Sequence, residues 1–182
     1  MQVFETKLKG VLLIAPQIFK DERGYFFESF NRDKYAEHIQ NLDFVQDNES
    51  LSIYGTLRGL HYQLPPYAQA KLVRVIHGKV LDVVLDIRRS SPTFGRYVIA
   101  ELSNENKHQL YVPRGFAHGF LVLSDTAIFA YKVDNIYHKA SEAAIRWNDP
   151  SLDIPWSLPA FDIILSEKDK QAPLFKDAIL FD

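Results

Sequence analysis

Arg58-Gly-Leu-His-Tyr-Gln63 and, further along, Pro113-Arg-Gly-Phe-Ala-His-Gly119 each set one histidine inside a run of apolar or alternating residues. Such runs read as β-strands, and a strand turns every second side chain to the same face, so each imidazole is carried into whatever that face encloses. In the first run His61 shares its face with Gly59 and Gln63, which predicts two polar side chains pointing together. Strict alternation sends Arg58 to the opposite face, so a site holding both Arg58 and His61 requires a bulge or loop between them.

Outward from these two runs, β-branched and aromatic residues recur in short stretches broken by turn residues. Strands are predicted over Lys71–His77, Lys79–Arg88, Arg96–Leu102, Phe116–Leu123 and Thr126–Val133, with His77-Gly78 and Ser90-Ser-Pro-Thr-Phe-Gly95 as turns. Strands at this spacing with little helix favour a sandwich or barrel. One helix is predicted over Arg32–Gln40, capped by Asn31 with Tyr35 facing inward, and a shorter one near Glu167–Gln171. From Trp147-Asn-Asp-Pro150 the chain turns proline-rich and loop-like, as a tail wrapped around the body would be. With no repeat, linker or composition break, 1–182 reads as a single domain.

The two histidine runs together resemble the two halves of the cupin barrel signature, which implies a mainly β, double-stranded β-helix (jelly roll) with a few short helices. A metal-binding cupin usually carries a second histidine two residues after the first and a glutamate a few residues on; here these positions hold Gln63 and Lys71. A cation where a carboxylate ligand belongs argues for a pocket without a metal.

Bulk properties narrow the function further. Twenty-one basic and 23 acidic side chains give a formal charge of −2, without the basic footprint that nucleic acid demands. The chain has no cysteine, so disulfides, thiolate metal sites and cysteine nucleophiles are all excluded. The only apolar run near the start, Val11–Ala15, is too brief for a signal-peptide core, and no stretch reaches membrane-spanning length, so a cytoplasmic protein without membrane contact is expected.

Taken singly, few residues advertise chemistry. A neutral imidazole at His61, with an ordinary pKa near ~6.5, suits a general base. Lys71 opens an apolar strand on the face of Val73 and Val75, where an inward ammonium would stabilise an oxyanion. His118 stands in a hydrophobic strand as a further donor. Tyr131 reads as a core aromatic and Asp169 as a solvated turn residue; Arg23, Glu28, Gln46, Asn48 and Arg58 read as surface polar groups, although two arginines can fork onto a diphosphate. Asp82 and Asp86 alternate with Leu81, Val83 and Leu85, and a barrel tolerates them only if they are paired.

Read together, Asp21-Glu-Arg-Gly-Tyr-Phe-Phe-Glu28, Gln46-Asp-Asn48, Leu57-Arg-Gly-Leu-His-Tyr-Gln63, Ala68-Gln-Ala-Lys-Leu-Val-Arg-Val75, Asp82-Val-Val-Leu-Asp-Ile-Arg88, Ser91-Pro-Thr-Phe-Gly95, Pro113-Arg-Gly-Phe-Ala-His-Gly119 and Trp147-Asn-Asp-Pro150 resemble the dTDP-4-dehydrorhamnose 3,5-epimerase family, in order and nearly end to end. The resemblance implies a cofactor-independent isomerase of dTDP-rhamnose biosynthesis that inverts C3 and C5 of dTDP-4-dehydro-6-deoxy-D-glucose to give dTDP-4-dehydro-β-L-rhamnose. It implies His61 as base with Asp169 as its dyad partner, Lys71 at the enolate oxygen, His118 beside the sugar or phosphate, and Tyr131 as the opposed acid. For the nucleotide it implies Arg23, Glu28, Gln46, Asn48, Arg58, Glu142 and Lys168, with Tyr137 stacked on thymine. It also implies a homodimer whose N-terminal segment crosses to the neighbour, so that Arg23 and Glu28 serve the neighbouring site. Three other readings stand beside it: an epimerase of one centre only, a non-catalytic cupin that binds nucleotide sugars, and a metal-dependent cupin oxygenase or isomerase.

Overall fold

The computed structural model describes residues 1–40 and 43–182. Its strands are β1 (Gln2–Glu5), β2 (Leu12–Ala15), β3 (Phe19–Asp21), β4 (Gly24–Phe26), β5 (Gln46–Ile53), β6 (Leu57–Gln63), β7 (Lys71–His77), β8 (Lys79–Asp86), β9 (Tyr97–Ser103), β10 (Gln109–Val112), β11 (Phe116–Val122), β12 (Thr126–Val133) and β13 (Glu142–Ala144), with short helices α1 (Arg32–Ala36) and α2 (Glu167–Lys170). They form a six-stranded sheet, β1-β2-β10-β7-β12-β5, and a five-stranded sheet, β13-β6-β11-β8-β9, with β3 and β4 as a separate hairpin. The two sheets enclose a core of Val73, Val75, Val80, Val84, Leu102, Leu110, Phe120 and Phe129, giving the mainly β jelly roll that the cupin resemblance implies.

What covers each strand explains its sequence. Every residue of β11 is buried, because the barrel interior lies on one face and the C-terminal tail on the other. Leu152, Ile154, Trp156, Phe175 and Phe181 of that tail pack against Leu60, Tyr62, Val83, Leu85 and Ala117, so the tail does wrap the body. A strand covered twice reads as a continuous apolar run; β5, at the edge of its sheet, keeps the alternation of a strand covered once. The other face of the six-stranded sheet is closed by α1, whose Tyr35 packs with Ile39 on Leu12, Ile14 and Leu72.

Two elements stop two or more residues earlier than the sequence suggests, while β11 and α2 each stop one residue early. Asn31 does cap α1 by accepting from the Asp33 and Lys34 amides, but the helix ends at Ala36, because the His38 amide donates to Tyr35 only three residues back and tightens the chain into a turn. Strand β8 ends at Asp86 instead of Arg88. There the Asp86 carboxylate accepts from the Arg88 amide and guanidinium and from the Ser91 and Thr93 hydroxyls, folding the chain away from the sheet. Burial pushes this carboxyl up, yet those donors hold it down at about 2.

Candidate active site

A bulge in β6 makes the site. His61 lies opposite His118 of β11 and Arg58 lies opposite Phe120, so three steps along β6 match two along β11. Gly59 occupies the irregularity at φ +138°, where a Cβ would stand 2.5 Å from the Gly119 Cα. The Arg58-Gly-Leu-His segment therefore works because two glycines let the backbones meet. The bulge returns Arg58 and His61 to one cavity, of about 170 Å³, also lined by Lys71, His118, Phe129 and Tyr131. Pockets that enclose drug-sized ligands run to roughly 300–1,000 Å³, so this one suits a single small ring with the rest of the molecule on the rim.

Two histidine–carboxylate pairs stand on the five-stranded wall. His61 Nε2 meets Asp169 Oδ1 at 2.5 Å, although the two are 108 residues apart. Asp169 is buried in α2, and its second oxygen accepts from the Ser166 hydroxyl at 2.8 Å. The same Ser166 oxygen caps α2 by accepting the Asp169 amide. Burial would raise the Asp169 carboxyl, but the His61 hydrogen bond and charge, with help from Ser166 and Lys168, hold it below the ordinary carboxylate value. The second pair is His118 with Asp82 on adjacent strands: Nε2 stands 2.9 Å from both carboxylate oxygens, and both residues are buried. Asp82 thus has the partner that its place in a barrel strand demands.

The six-stranded wall supplies Lys71 and Tyr131. Val133 of β12 pairs with Lys71 of β7 and Tyr131 with Val73, so the two side chains stand two residues apart on one inward face. Lys71 therefore points inward instead of snorkelling. Burial lowers its pKa to about 8, with Asp82 and Glu142 pulling the other way. Burial also raises the Tyr131 phenol, against the pull of Arg58. A histidine–aspartate dyad and a phenol thus occupy facing walls, with the Lys71 ammonium on the phenol's wall and Glu49, Ser50, Phe120 and Phe129 completing the lining.

At the rim, Arg58 Nε donates to the Ser52 hydroxyl at 3.0 Å. Tyr137, half exposed, donates its hydroxyl to Glu142, which also pairs with Lys168. Gln46 donates to Asn48 and accepts the Tyr137 amide. Tyr137, Glu142, Lys168, Gln46 and Asn48 are therefore one connected group. Arg23 and Glu28 are not brought to the cavity of their own chain: Arg23 forks onto Asp21, and Glu28 holds Asn31 and Lys34.

Two expectations need correction and several residues are added. Gln63 keeps the strand face of His61, since the β13 ladder is regular from 61 to 63, but it does not line the cavity: its amide bonds the backbones of Tyr67, Ile136 and His138 beyond it. Asp169 is a buried dyad member and not a solvated turn residue, because its capped helix sits against β6. Sequence reasoning left Asp82 without a role and passed over Ser166, Ser52 and the Phe129 floor; for Asp82 the signal was present, an acid in a strand otherwise apolar. Among the described residues, no three histidine, aspartate or glutamate side chains gather as a metal would need.

Comparison with known proteins agrees with this architecture. The family model of dTDP-4-dehydrorhamnose 3,5-epimerase matches residues 5–177. The Shigella flexneri protein named dTDP-4-dehydrorhamnose 3,5-epimerase is 53% identical over 182 residues, covering 100% of this chain and 99% of its own. The crystal structure of the enzyme of that name from Elizabethkingia anophelis superimposes with a TM-score of 0.93 at 54% identity, over 97% of each chain. A dTDP-6-deoxy-D-glucose-3,5-epimerase from Legionella pneumophila, solved with dTDP-4-keto-L-rhamnose, gives 0.93 at 48% identity over 97% of this chain and 93% of its own. With full-length identity near half and the same fold, the chain belongs to the dTDP-4-dehydrorhamnose 3,5-epimerase family.

Proposed function

We propose that this protein inverts C3 and C5 of dTDP-4-dehydro-6-deoxy-D-glucose, giving dTDP-4-dehydro-β-L-rhamnose. The observation that carries the reading is the opposition of the His61–Asp169 dyad on one wall to Tyr131 on the other, with Lys71 beside them. Both carbons flank the C4 ketone. Loss of either proton leaves an enolate whose charge sits on the C4 oxygen, and reprotonation from the opposite face inverts the centre.

In this reading His61 removes the proton with the ring nitrogen turned away from Asp169, and the carboxylate orients the ring and stabilises the imidazolium. The Lys71 ammonium takes up the enolate charge at the cavity wall. Tyr131, held protonated by burial, delivers a proton from the facing wall. Solvent then returns a proton to the phenolate and takes one from the imidazolium, so each inversion is neutral overall. The chemistry asks for no redox cofactor. His118, fixed by Asp82, hydrogen-bonds the sugar or phosphate.

The nucleotide lies along the rim, with thymine against Tyr137 and the diphosphate near Arg58, Gln46, Asn48, Glu142 and Lys168. Arg23 and Glu28 reach a neighbouring copy, since neither lines the cavity of its own chain. A homodimer with exchanged N-terminal segments supplies that arrangement, and the whole chain, 1–182, acts as one domain of a cytoplasmic enzyme. Among the described residues no helix is long and apolar enough to cross a membrane.

Proton NMR of the substrate incubated with the protein in D2O tests the reading. Deuterium at both C3 and C5 is expected; incorporation at one position alone would make it a single-centre epimerase, and none at either would leave a nucleotide-sugar-binding protein.

A further inference from the structure

We propose that Gln63 is a positioning residue for nucleotide recognition, locking the segment that carries Tyr137 to the strand that carries His61. The inference rests on the rim reading above and deepens it. Gln63 ends β6, two residues after His61, and is 4% exposed. Its amide is fully spent on backbone. Nε2 donates to the Tyr67 carbonyl at 2.7 Å and to the Ile136 carbonyl at 3.2 Å, while Oε1 accepts the His138 amide at 2.8 Å. Only one orientation of the amide satisfies two carbonyls and one N–H, so the side chain fixes the backbone on both sides of Tyr137.

The grip is reinforced from β5 and from the loop between β6 and β7. Gln46 of β5 accepts the Tyr137 amide, and Gln69 donates to the Asn135 carbonyl at 2.8 Å. The His138 ring stacks on Tyr67 at 3.9 Å between centroids. Backbone from 135 to 138 is thus bolted down while the Tyr137 side chain stays half exposed at the rim with its hydroxyl on Glu142. Glu142 is itself the register partner of Gln63 in the β13–β6 ladder. One buried amide therefore sets the spacing between the reacting centre and the group assigned to the base, which is an affinity role and not a chemical one.

The test compares wild type with Gln63→Met, which keeps length and apolar bulk but removes all three hydrogen bonds. We expect KM for the dTDP-sugar and the Kd of dTDP, measured by calorimetry, to rise together by about tenfold, the scale of one or two lost buried hydrogen bonds, with kcat changed far less. A variant that folds yet binds dTDP like wild type, or loses kcat at unchanged KM, would overturn the clamp. Should the methionine variant not fold, Gln63→Glu decides. It keeps the acceptor for His138 and, once protonated, supplies one O–H donor in place of two N–H donors, so its dTDP affinity relative to wild type should recover in part as pH falls; a ratio independent of pH would contradict the proposal. Wild-type protein that does not bind dTDP would overturn the rim reading as well, whereas the variant results bear on the clamp alone.

Discussion

The two histidine–carboxylate pairs are built differently. His118 and Asp82 come from neighbouring strands of one sheet and are both buried, so the ladder itself sets their geometry. His61 belongs to the same sheet and faces His118 across the ladder, but its carboxylate arrives from a tail helix 108 residues later. The His61 side chain remains 29% exposed, against 6% for His118. A pair sealed within a sheet holds a shape. A pair closed by a docked tail, with one ring edge left open, can exchange protons with a ligand.

Breaking each pair should therefore give different symptoms. The largest effect falls on His61→Asn, which removes the proposed base: kcat should drop by about 10³-fold, within the usual range for general-base loss, with the melting temperature little changed. Lys71→Met should cost about 10²–10³-fold in kcat, as other losses of an oxyanion stabiliser do, measured at saturating substrate. Asp169→Asn should lower kcat by about 10²-fold at preserved dTDP affinity, because the ring loses its orienting carboxylate while the rim is untouched. Asp82→Asn should show the opposite balance. It weakens a fully buried hydrogen-bonded pair, so about 1–3 kcal/mol of stability should be lost in denaturant melts, with a smaller fall in kcat.

Lys71 sharpens the comparison through pH. Its folded pKa, about 8, lies below the ordinary lysine value of 10.5. On the proposed mechanism the ammonium is needed at the enolate, so kcat/KM, which reports the free enzyme, should decline as pH rises through about 8. Stability runs the other way: between 8 and 10.5 the unfolded chain binds more protons, so stability rises with pH across that window. Below pH 8 the folded protein bears the whole cost of the buried charge. Lys71→Met should accordingly be more stable than wild type there, with the gain shrinking toward pH 10.5.

The same contrast explains what could be read from the chain alone. Strands β7 and β12 coincide with their predicted spans, because short runs of β-branched and aromatic residues between turns report local covering. The need for a bulge beside Arg58 was legible too, since alternation and a shared site conflict there. Asp169 was not legible by itself. In sequence it stands among Glu167, Lys168 and Lys170, and only docking of α2 against β6 buries it. Tyr131 likewise looks like any strand aromatic until the barrel sets it across from His61. Those two roles came from resemblance to the family, whereas the Gln63 grip on the Tyr137 segment depends on a loop 73 residues away and no local pattern marks it.

The central claim, that the pair closed by the tail does the chemistry, is tested most directly by deuterium exchange into dTDP-4-dehydro-6-deoxy-D-glucose in D2O, followed by NMR for His61→Asn and His118→Asn side by side. The account predicts that His61→Asn slows exchange at both C3 and C5 by about 10³-fold, whereas His118→Asn slows it far less at both. Exchange near the wild-type rate in His61→Asn together with its loss in His118→Asn would contradict the account and move the base to the sealed pair.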